Sequence, residues 1–313
     1  MVRFGLAVLD YQTVGETPTL KTLVDLSQRA EALGFDSIWL GDHLEHLIGG
    51  PMLEPYVLLG ALANATSALR LGVLVTPVTF RPPAIVAKLA STLDVISGGR
   101  AVLGLGAGAS GMEHQHYGIP LPPLVDRLEL LEETVEICRR LFDGSKVTYS
   151  GRRIRLEDAY LDPVPVQGVG LPIIIGGKST RVIQIAARHA DLANFTYVSP
   201  ARAAEFVSQL AAASLAAGRA KATVATWMGG VVIGTTEGEI ESRGLAFRSR
   251  RDMSAEVFES VVPHGSPSQV GAHLSTLIDA GIGECYLGVS AAISPSDLEL
   301  LAQAVSLAAS PAA

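Results

Sequence analysis

The chain has 313 residues, 48% of them hydrophobic and 18% charged, with a formal net charge of −7. That length suits one large α/β barrel or two ordinary domains, and the apolar content argues against disorder. The acidic balance, without any basic block, argues against a nucleic-acid partner.

Cys138 and Cys285 lie far apart in apolar contexts and read as buried core thiols, not as a disulfide scaffold. Met1-Val2-Arg3-Phe4 enters an apolar strand directly. No charged-then-apolar leader is present and no apolar run is long enough to span a bilayer, so a cytoplasmic protein with no membrane partner is expected.

Phe4 to Leu9 reads as the first strand. Thr17-Pro18-Thr19 starts a helix whose apolar positions run from Leu20 to Leu33, with Gly34 as its stop. Phe35 to Leu40 is the second strand, followed by the polar loop Gly41-Asp42-His43-Leu44-Glu45-His46. Residues 55–68 are helical, Arg70 to Val75 is a third strand, and Ala84 to Ile96 is helical. Ala101 to Leu105 is a fourth strand, ending in glycines Gly104, Gly106 and Gly108. Residues 109–123 read as a long loop carrying Glu113, His114, His116 and Tyr117, and Leu124 to Phe142 as an amphipathic helix.

Residues 143–171 break this rhythm with a hairpin pattern around Ser150-Gly151 and a Pro/Gly-rich stretch. Ile173 to Ile175 is the fifth strand, 179–189 a helix, Asp191 to Phe195 the sixth strand, and 200–217 a helix. Thr223 to Ile233 is the seventh strand. Residues 234–265 form a second, polar insertion with Arg243, Arg248, Arg250 and Arg251, which read first as a solvated face. Pro267 to Ala280 is helical, Glu284 to Val289 the eighth strand, and Pro295 to Ala308 the last helix.

Eight strands alternating with helices imply a parallel sheet with crossover helices. At this length the pattern predicts an α/β fold, a (β/α)8 TIM barrel, with insertions after strands 4 and 7. A single domain over 1–313 is expected; an open doubly wound sheet is the alternative.

Two glycine-ended strands mark a candidate ligand mouth. Gly104-x-Gly106-x-x-Ala109 fits one form of the dinucleotide fingerprint, but Ser110-Gly111 and a proline-rich loop follow where a helix should start. What remains is bare backbone near Ala107 and Gly108, suited to an anion or a ring edge, or simply a tight turn. Gly176-Gly177-Lys178-Ser179 precedes a helix, where free N–H groups and the dipole favour phosphate.

Asp42 and His43 follow the second strand, at the barrel end where catalytic groups gather, and histidine as a residue type can serve as a general base or acid. A surface loop histidine is the competing reading. Neither the Asp42/His43/Glu45/His46 group nor the Glu113/His114/His116 group has the spacing of a structural zinc site, so no metal is expected. Trp39 reads as packing, and no Gly-x-Ser-x-Gly elbow or Cys/His signature is present.

Several stretches together resemble the luciferase-like flavin and deazaflavin oxidoreductases, in particular the coenzyme F420-dependent branch. The resemblance covers about residues 1–200. It is carried by Gly34 to Trp39 with Asp42-His43, by Leu71 to Arg81, by Leu93 to Arg100, and by Leu103 to Gly108. Glu113-His114, Tyr117 to Pro120, Arg127-Leu128 with Leu131 to Glu133, and Pro172 to Gly177 complete it.

The resemblance implies a cofactor ring at the C-terminal mouth and a non-proline cis peptide on the third strand, expected by position at Val73–Leu74. It places Asp42 and His43 beside the ring, Ala107 and Gly108 along the cofactor side chain, and Gly176, Gly177, Lys178 and Ser179 near its phosphate. It also implies a homodimer. One departure stands out: the sugar-phosphate dehydrogenase branch carries a catalytic Glu directly after the glycine string and many relatives carry Trp there, whereas this chain has Ala109.

The expected activity is hydride transfer between F420 and a small organic substrate, with His43 and Asp42 near the reacting atoms. The alternatives are an FMN-dependent monooxygenase fed by a separate reductase, a catalytically silent deazaflavin- or flavin-binding protein, and, more remotely, a metal-dependent barrel hydrolase.

Overall fold

Apolar runs bounded by turn residues become strands here because the helices bury their outer face and the barrel interior buries the other. The computed structural model describes residues 2–10, 20–45, 51–219 and 222–309. Its barrel strands are β1 (Arg3–Asp10), β2 (Ser37–Leu40), β3 (Arg70–Val73), β4 (Ala101–Gly106), β5 (Ile173–Gly176), β6 (Leu192–Thr196), β7 (Val224–Gly230) and β8 (Glu284–Ser290). Neighbouring strands are parallel, and β1 pairs with both β2 and β8. Pairing of Leu71 with Ala101 and of Gly72 with Val102 joins β3 to β4 and closes the sheet into the expected (β/α)8 barrel.

One main helix follows each strand: α1 (Leu20–Ala32), α2 (Pro55–Ala65), α3 (Pro83–Ser97), α4 (Leu124–Leu141), α5 (Thr180–His189), α6 (Pro200–Ala216), α7 (Pro267–Asp279) and α8 (Pro295–Ala309). Their boundaries follow local chemistry. Ser179, Ser199 and Ser266 cap α5, α6 and α7, and Gly98 ends α3 in the left-handed conformation, φ 67°. The Thr17-Pro18-Thr19 start expected for α1 lies outside the described residues. No helix among the described residues is long and apolar enough to cross a membrane.

Side chains alternate across each strand, so every second residue faces the barrel axis. Ala7, Trp39, Val102, Ile174, Leu192 and Tyr286 form one inner cluster, separate from the larger core between sheet and helices. Trp39 is packing, as expected: its ring centroid lies 4.7 Å from that of Tyr286 and its Nε1 donates to Ser37 Oγ at 2.8 Å. At the strand starts, Glu284 accepts from Arg70 at 3.0 and 3.1 Å, from Arg3 at 3.3 Å and from the Tyr286 hydroxyl at 2.9 Å. This charged plug closes the N-terminal end. Two residues beyond the inner cluster, on the same face, come Gly41, Gly104, Gly176, Asn194 and Gly288. The C-terminal mouth therefore carries few side chains of its own.

Three segments depart from the sequence reading. Residues 109–123 contain a short helix, Gly111–His116, started by Ser110, whose side chain accepts from Glu113 N. The seventh strand ends at Gly230, and Val232–Ile233 pairs instead with His264–Gly265. The polar stretch between them holds two helices, Glu237–Arg250 and Ala255–Val261. The first helix is polar nearly all round, with Gly244 its one buried residue, so no apolar stripe announces it. The hairpin expected near Ser150-Gly151 is present as antiparallel Val147–Ser150 and Arg155–Ala159. Cys138 and Cys285 are buried free thiols, and burial pushes both up to about 12, which makes them poor nucleophiles.

Candidate active site

The mouth is shaped first by a break in β3. Leu74 N still donates to Leu40 O at 2.8 Å, so the ladder runs one residue past Val73. The non-proline cis peptide then falls at Leu74–Val75. This corrects the expected position by one bond: the ladder contact holds the Val73–Leu74 peptide in strand geometry and the turn comes after it. Pairing resumes at Thr76–Pro77 against Leu105 and Gly106.

This bulge explains the glycine string. A Cβ on Gly104 would stand 1.8 Å from the Val73 carbonyl oxygen, and one on Gly106 would stand 2.6 Å from Val75 Cγ2. A Cβ on Gly176 would crowd Val75 at 3.2 Å. Close approach of β3 to β4 and β5 is what these three positions require. Val73 is buried, while Leu74 and Val75 remain partly exposed at the mouth.

Asp42, just past β2, is buried at 2% exposure. Both its oxygens accept from Arg81, at 2.5 and 3.1 Å, and Arg81 Nη2 also reaches Glu54 at 2.9 Å. The guanidinium sits 5.5 Å from the centre of the Tyr56 ring, whose hydroxyl bonds Thr76 Oγ1 at 2.8 Å. Asp42 is thus a fixed, fully engaged charge that ties the β2 and β3 loops together.

His43 differs. Its Nδ1 lies 3.0 Å from Glu113 Oε2, while Glu113 Oε1 accepts from Leu44 N at 2.7 Å. Glu113 is 1% exposed. Burial alone would raise its pKa, but the hydrogen bonds from His43 and Leu44 outweigh that and hold it below the usual carboxylate range. An ionised carboxylate can only accept, so Nδ1 of His43 carries a proton and donates it to Glu113. The Cδ2 atom on the far edge of the ring lies 3.5 Å from where a Gly41 Cβ would stand, and Gly41 faces the barrel axis. The His43 side chain is partly exposed beside the mouth.

The remaining candidates lie on the β4 and β5 rims. Arg127 Nη1 donates to Gly108 O and, at 3.5 Å, to Ala107 O, and its Nε donates to Pro122 O at 3.0 Å. Gly108 has φ 78°, which suits glycine. Gly177 N donates to Asn194 O at 3.2 Å, Lys178 Nζ donates to Thr196 O at 3.2 Å, and Ser179 caps α5 through Val182 N. The N-terminus of α5 thus opens onto the rim between β5 and β6.

The histidines of 111–116 do not converge on one point. His114 bonds Ser110 O at 2.5 Å and Thr79 Oγ1 at 2.8 Å, whereas His116 pairs with Glu45 at 3.0 Å. His46 lies outside the described residues.

The sequence alone does not mark Arg81, Glu54 or Arg127 as site residues, and it offers Glu113 in the loop, in a metal grouping and in the family resemblance, but not as the partner of His43. Their partners stand 39, 27, 19 and 70 positions away, so no local spacing could pair them. Only the barrel brings them together.

Residues 2–284 match the family model described as luciferase-like monooxygenase. An F420-dependent glucose-6-phosphate dehydrogenase of Microbacterium testaceum is 34% identical over 193 residues, 61% of this chain and 55% of that relative. The chain spans about half the length of the curated relatives it matches. Two solved structures share the fold. The coenzyme F420-dependent tetrahydromethanopterin reductase of Methanopyrus kandleri has a TM-score of 0.82 at 21% identity, covering 96% of this chain and 97% of that one. Monooxygenase RslO1 of Streptomyces bottropensis has a TM-score of 0.83 at 20% identity, covering 97% and 98%.

Proposed function

The chain belongs to the luciferase-like monooxygenase family, and from that premise we propose that it is a coenzyme F420-dependent oxidoreductase acting on a small organic substrate. The observation that carries the chemistry is the buried Glu113 carboxylate holding His43 by Nδ1, with the imidazole partly exposed beside the glycine-rich mouth. The F420-dependent relatives support the choice of cofactor.

The residues present fit such a group. Gly41, Gly176 and Gly288 contribute no side chains of their own to the upper barrel, and the partly exposed Leu74 and Val75 offer an apolar surface for one face of a flat ring. Ala107 and Gly108 would lie along the cofactor side chain, and Gly176, Gly177, Lys178 and Ser179 would hold its phosphate at the start of α5. When bound, F420 supplies a hydride donor or acceptor at C5 of its deazaflavin ring.

Around it, His43 Nε2 takes the substrate proton in oxidation or returns it in reduction, while Glu113 stabilises the imidazolium that forms. Asp42, with both oxygens engaged by Arg81, positions the loop that carries His43. We also propose a homodimer, supported by exposed Val57 on α2 and by Ile85 and Ile96, eleven residues apart and so on one face of α3.

Fluorescence titration with F420 and, in parallel, with FMN tests the cofactor. Micromolar or tighter F420 binding with weak FMN binding is expected. The reverse preference would make the protein an FMN-dependent monooxygenase, a reading the shared fold with RslO1 keeps open. F420 binding with no turnover across a substrate panel would make it a silent binding protein, for which Ala109 is the sequence feature to examine.

A further inference from the structure

Glu113 and His114 are neighbours on the short helix Gly111–His116, and both are buried, at 1% and 2% exposure. They leave the helix in different directions. Glu113 reaches the β2 loop at His43 and Leu44. His114 reaches the loop between β3 and α3: its Nε2 lies 2.8 Å from Thr79 Oγ1, and its ring centroid lies 5.2 Å from that of Phe80. Proton exchange at His43 uses Glu113 and leaves His114 without a part.

A helix of six residues closes too few backbone bonds to hold itself in place. Side chains must fix it, and they are unequal. Tyr117 OH donates to Leu44 O at 3.1 Å and His116 pairs with Glu45 at 3.0 Å, but both side chains stand in water, where such contacts contribute little. His114 is shielded from water. Ser110 O accepts from its Nδ1 at 2.5 Å, and in the neutral ring Nε2 then accepts from the Thr79 hydroxyl. A Cβ on Gly108 would stand 2.8 Å from Thr79 Oγ1, so glycine at that position leaves the hydroxyl its room.

The far end of this link is firm. Val78 N donates to Gly106 O at 2.9 Å and Phe80 N donates to Pro77 O at 3.1 Å, which pins the turn to the end of β4. Arg81, two residues past Thr79, holds Asp42. One stretch, Thr79-Phe80-Arg81, therefore grips the β2 loop on both sides of His43. Asp42, before it, is held through Arg81. Leu44, after it, is held through His114 and Glu113, and Glu113 also holds the His43 ring.

We propose that His114 is a positioning residue: packed on Phe80 and bonded to Thr79, it fixes Glu113 where that carboxylate can hold His43 Nδ1. The part given to His43 rests on the oxidoreductase reading; the coupling from Thr79 through His114 to His43 does not. Without the Thr79 hydroxyl the short helix shifts more freely, and the bond between His43 and Glu113 opens more often.

NMR selective for imidazole N–H groups, on the whole protein without cofactor, tests this coupling. It reads the exchange of the His43 Nδ1 proton with water, the signal being identified by its loss in His43→Ala. Thr79→Val keeps the shape of the side chain and removes the hydroxyl; His114→Phe keeps a ring against Phe80 and removes both nitrogens. Exchange at His43 at least about tenfold faster in each, with Tm nearly held in Thr79→Val, is expected. Thr79→Ser should restore the wild-type rate, and Tyr117→Phe should change it by less than about twofold. A merely structural Thr79 would lower Tm and leave exchange at His43 in the folded protein as it was.

Unchanged exchange in either variant that folds, failure of Thr79→Ser to restore it, or equal acceleration in Tyr117→Phe overturns the proposal. So does a His43 Nδ1 proton that already exchanges too fast to observe in the wild type, because Glu113 would then not be held. The two readings fail separately: the expected exchange rates beside full turnover in His43→Ala would support the anchor and remove His43 from the reaction.

Discussion

Two buried carboxylates sit at opposite ends of this barrel. Glu284, at the closed end, is held by Arg70, Arg3 and the Tyr286 hydroxyl. Glu113, at the mouth, is held by a backbone N–H and by His43. Burial of either charge is tolerable only because every oxygen is engaged. The partners differ in one property: arginine does not release its proton near neutral pH, and histidine does. The closed end is thus a fixed electrostatic plug, and the mouth is a group that can exchange a proton. The division follows the general rule that the strand-start end of a (β/α)8 barrel carries stability and the strand-end face carries chemistry.

The largest effect expected from this contrast is at the mouth. His43→Ala should lower turnover with F420 by roughly 10² to 10⁴ while leaving F420 affinity nearly unchanged. Glu113→Gln keeps an acceptor for Nδ1 but loses the charge, so it should fall less, by about 10- to 100-fold. Steady-state kinetics beside fluorescence titration read both, and unchanged turnover in His43→Ala would remove the pair from the reaction. At the closed end the signature reverses. Glu284→Ala leaves two guanidinium groups without their shared carboxylate and should cost about 3–5 kcal/mol of stability in denaturant melts. Turnover per folded molecule should hold. A drop in turnover without destabilisation would erase the distinction between the two ends.

The sequence made the scaffold legible and the mouth only in part, while the charged plug at the closed end, paired across 214 and 281 residues, carried no local signal. Strand runs such as Ile173 to Ile175 announce themselves because they are buried on both faces, and the helix from Leu124 does so by its apolar stripe. The hairpin at Ser150-Gly151 is local and was equally readable. What escaped is what depends on long-range pairing or on polarity. Arg81 meets Asp42 across 39 residues and Glu113 meets His43 across 70, separations at which composition carries no signal.

The cis bond was displaced by one residue because a single ladder contact, Leu74 N to Leu40 O, decides where β3 ends. The helix Glu237–Arg250 hid for want of an apolar face. Yet Thr236 capping Glu239 N, with Glu239 accepting from Thr235 N at 2.9 Å, is a start signal that a search for caps would have found.

The smallest expected effect tests whether a mouth carboxylate differs from a structural one in its response to acid. Glu31, near the end of α1, accepts from the N–H groups of Ser67, Ala68 and Leu69 at 2.5 to 3.0 Å, pinning the turn that leads into β3 at the strand-start end. Burial would raise its pKa, but those bonds and the Ser67 hydroxyl outweigh it, so like Glu113 it sits below its usual value of 4.5. A carboxyl with a lower pKa folded than unfolded stabilises the fold above the unfolded value, and that contribution is lost as pH falls through the folded one. Both residues should therefore steepen the loss of stability below about pH 4.5.

Glu31→Gln should cost about 1 kcal/mol at neutral pH and flatten this acid limb, with turnover unaffected at every pH where the protein stays folded. Glu113→Gln should flatten the same limb and also change the pH profile of turnover, because Glu113 reaches the chemistry through His43. Thermal melts between pH 3 and 7, paired with turnover profiles, separate the two. If Glu31→Gln altered the turnover profile as Glu113→Gln does, the profile would be reporting acid unfolding, and the proton-exchanging role of His43 would have lost its support.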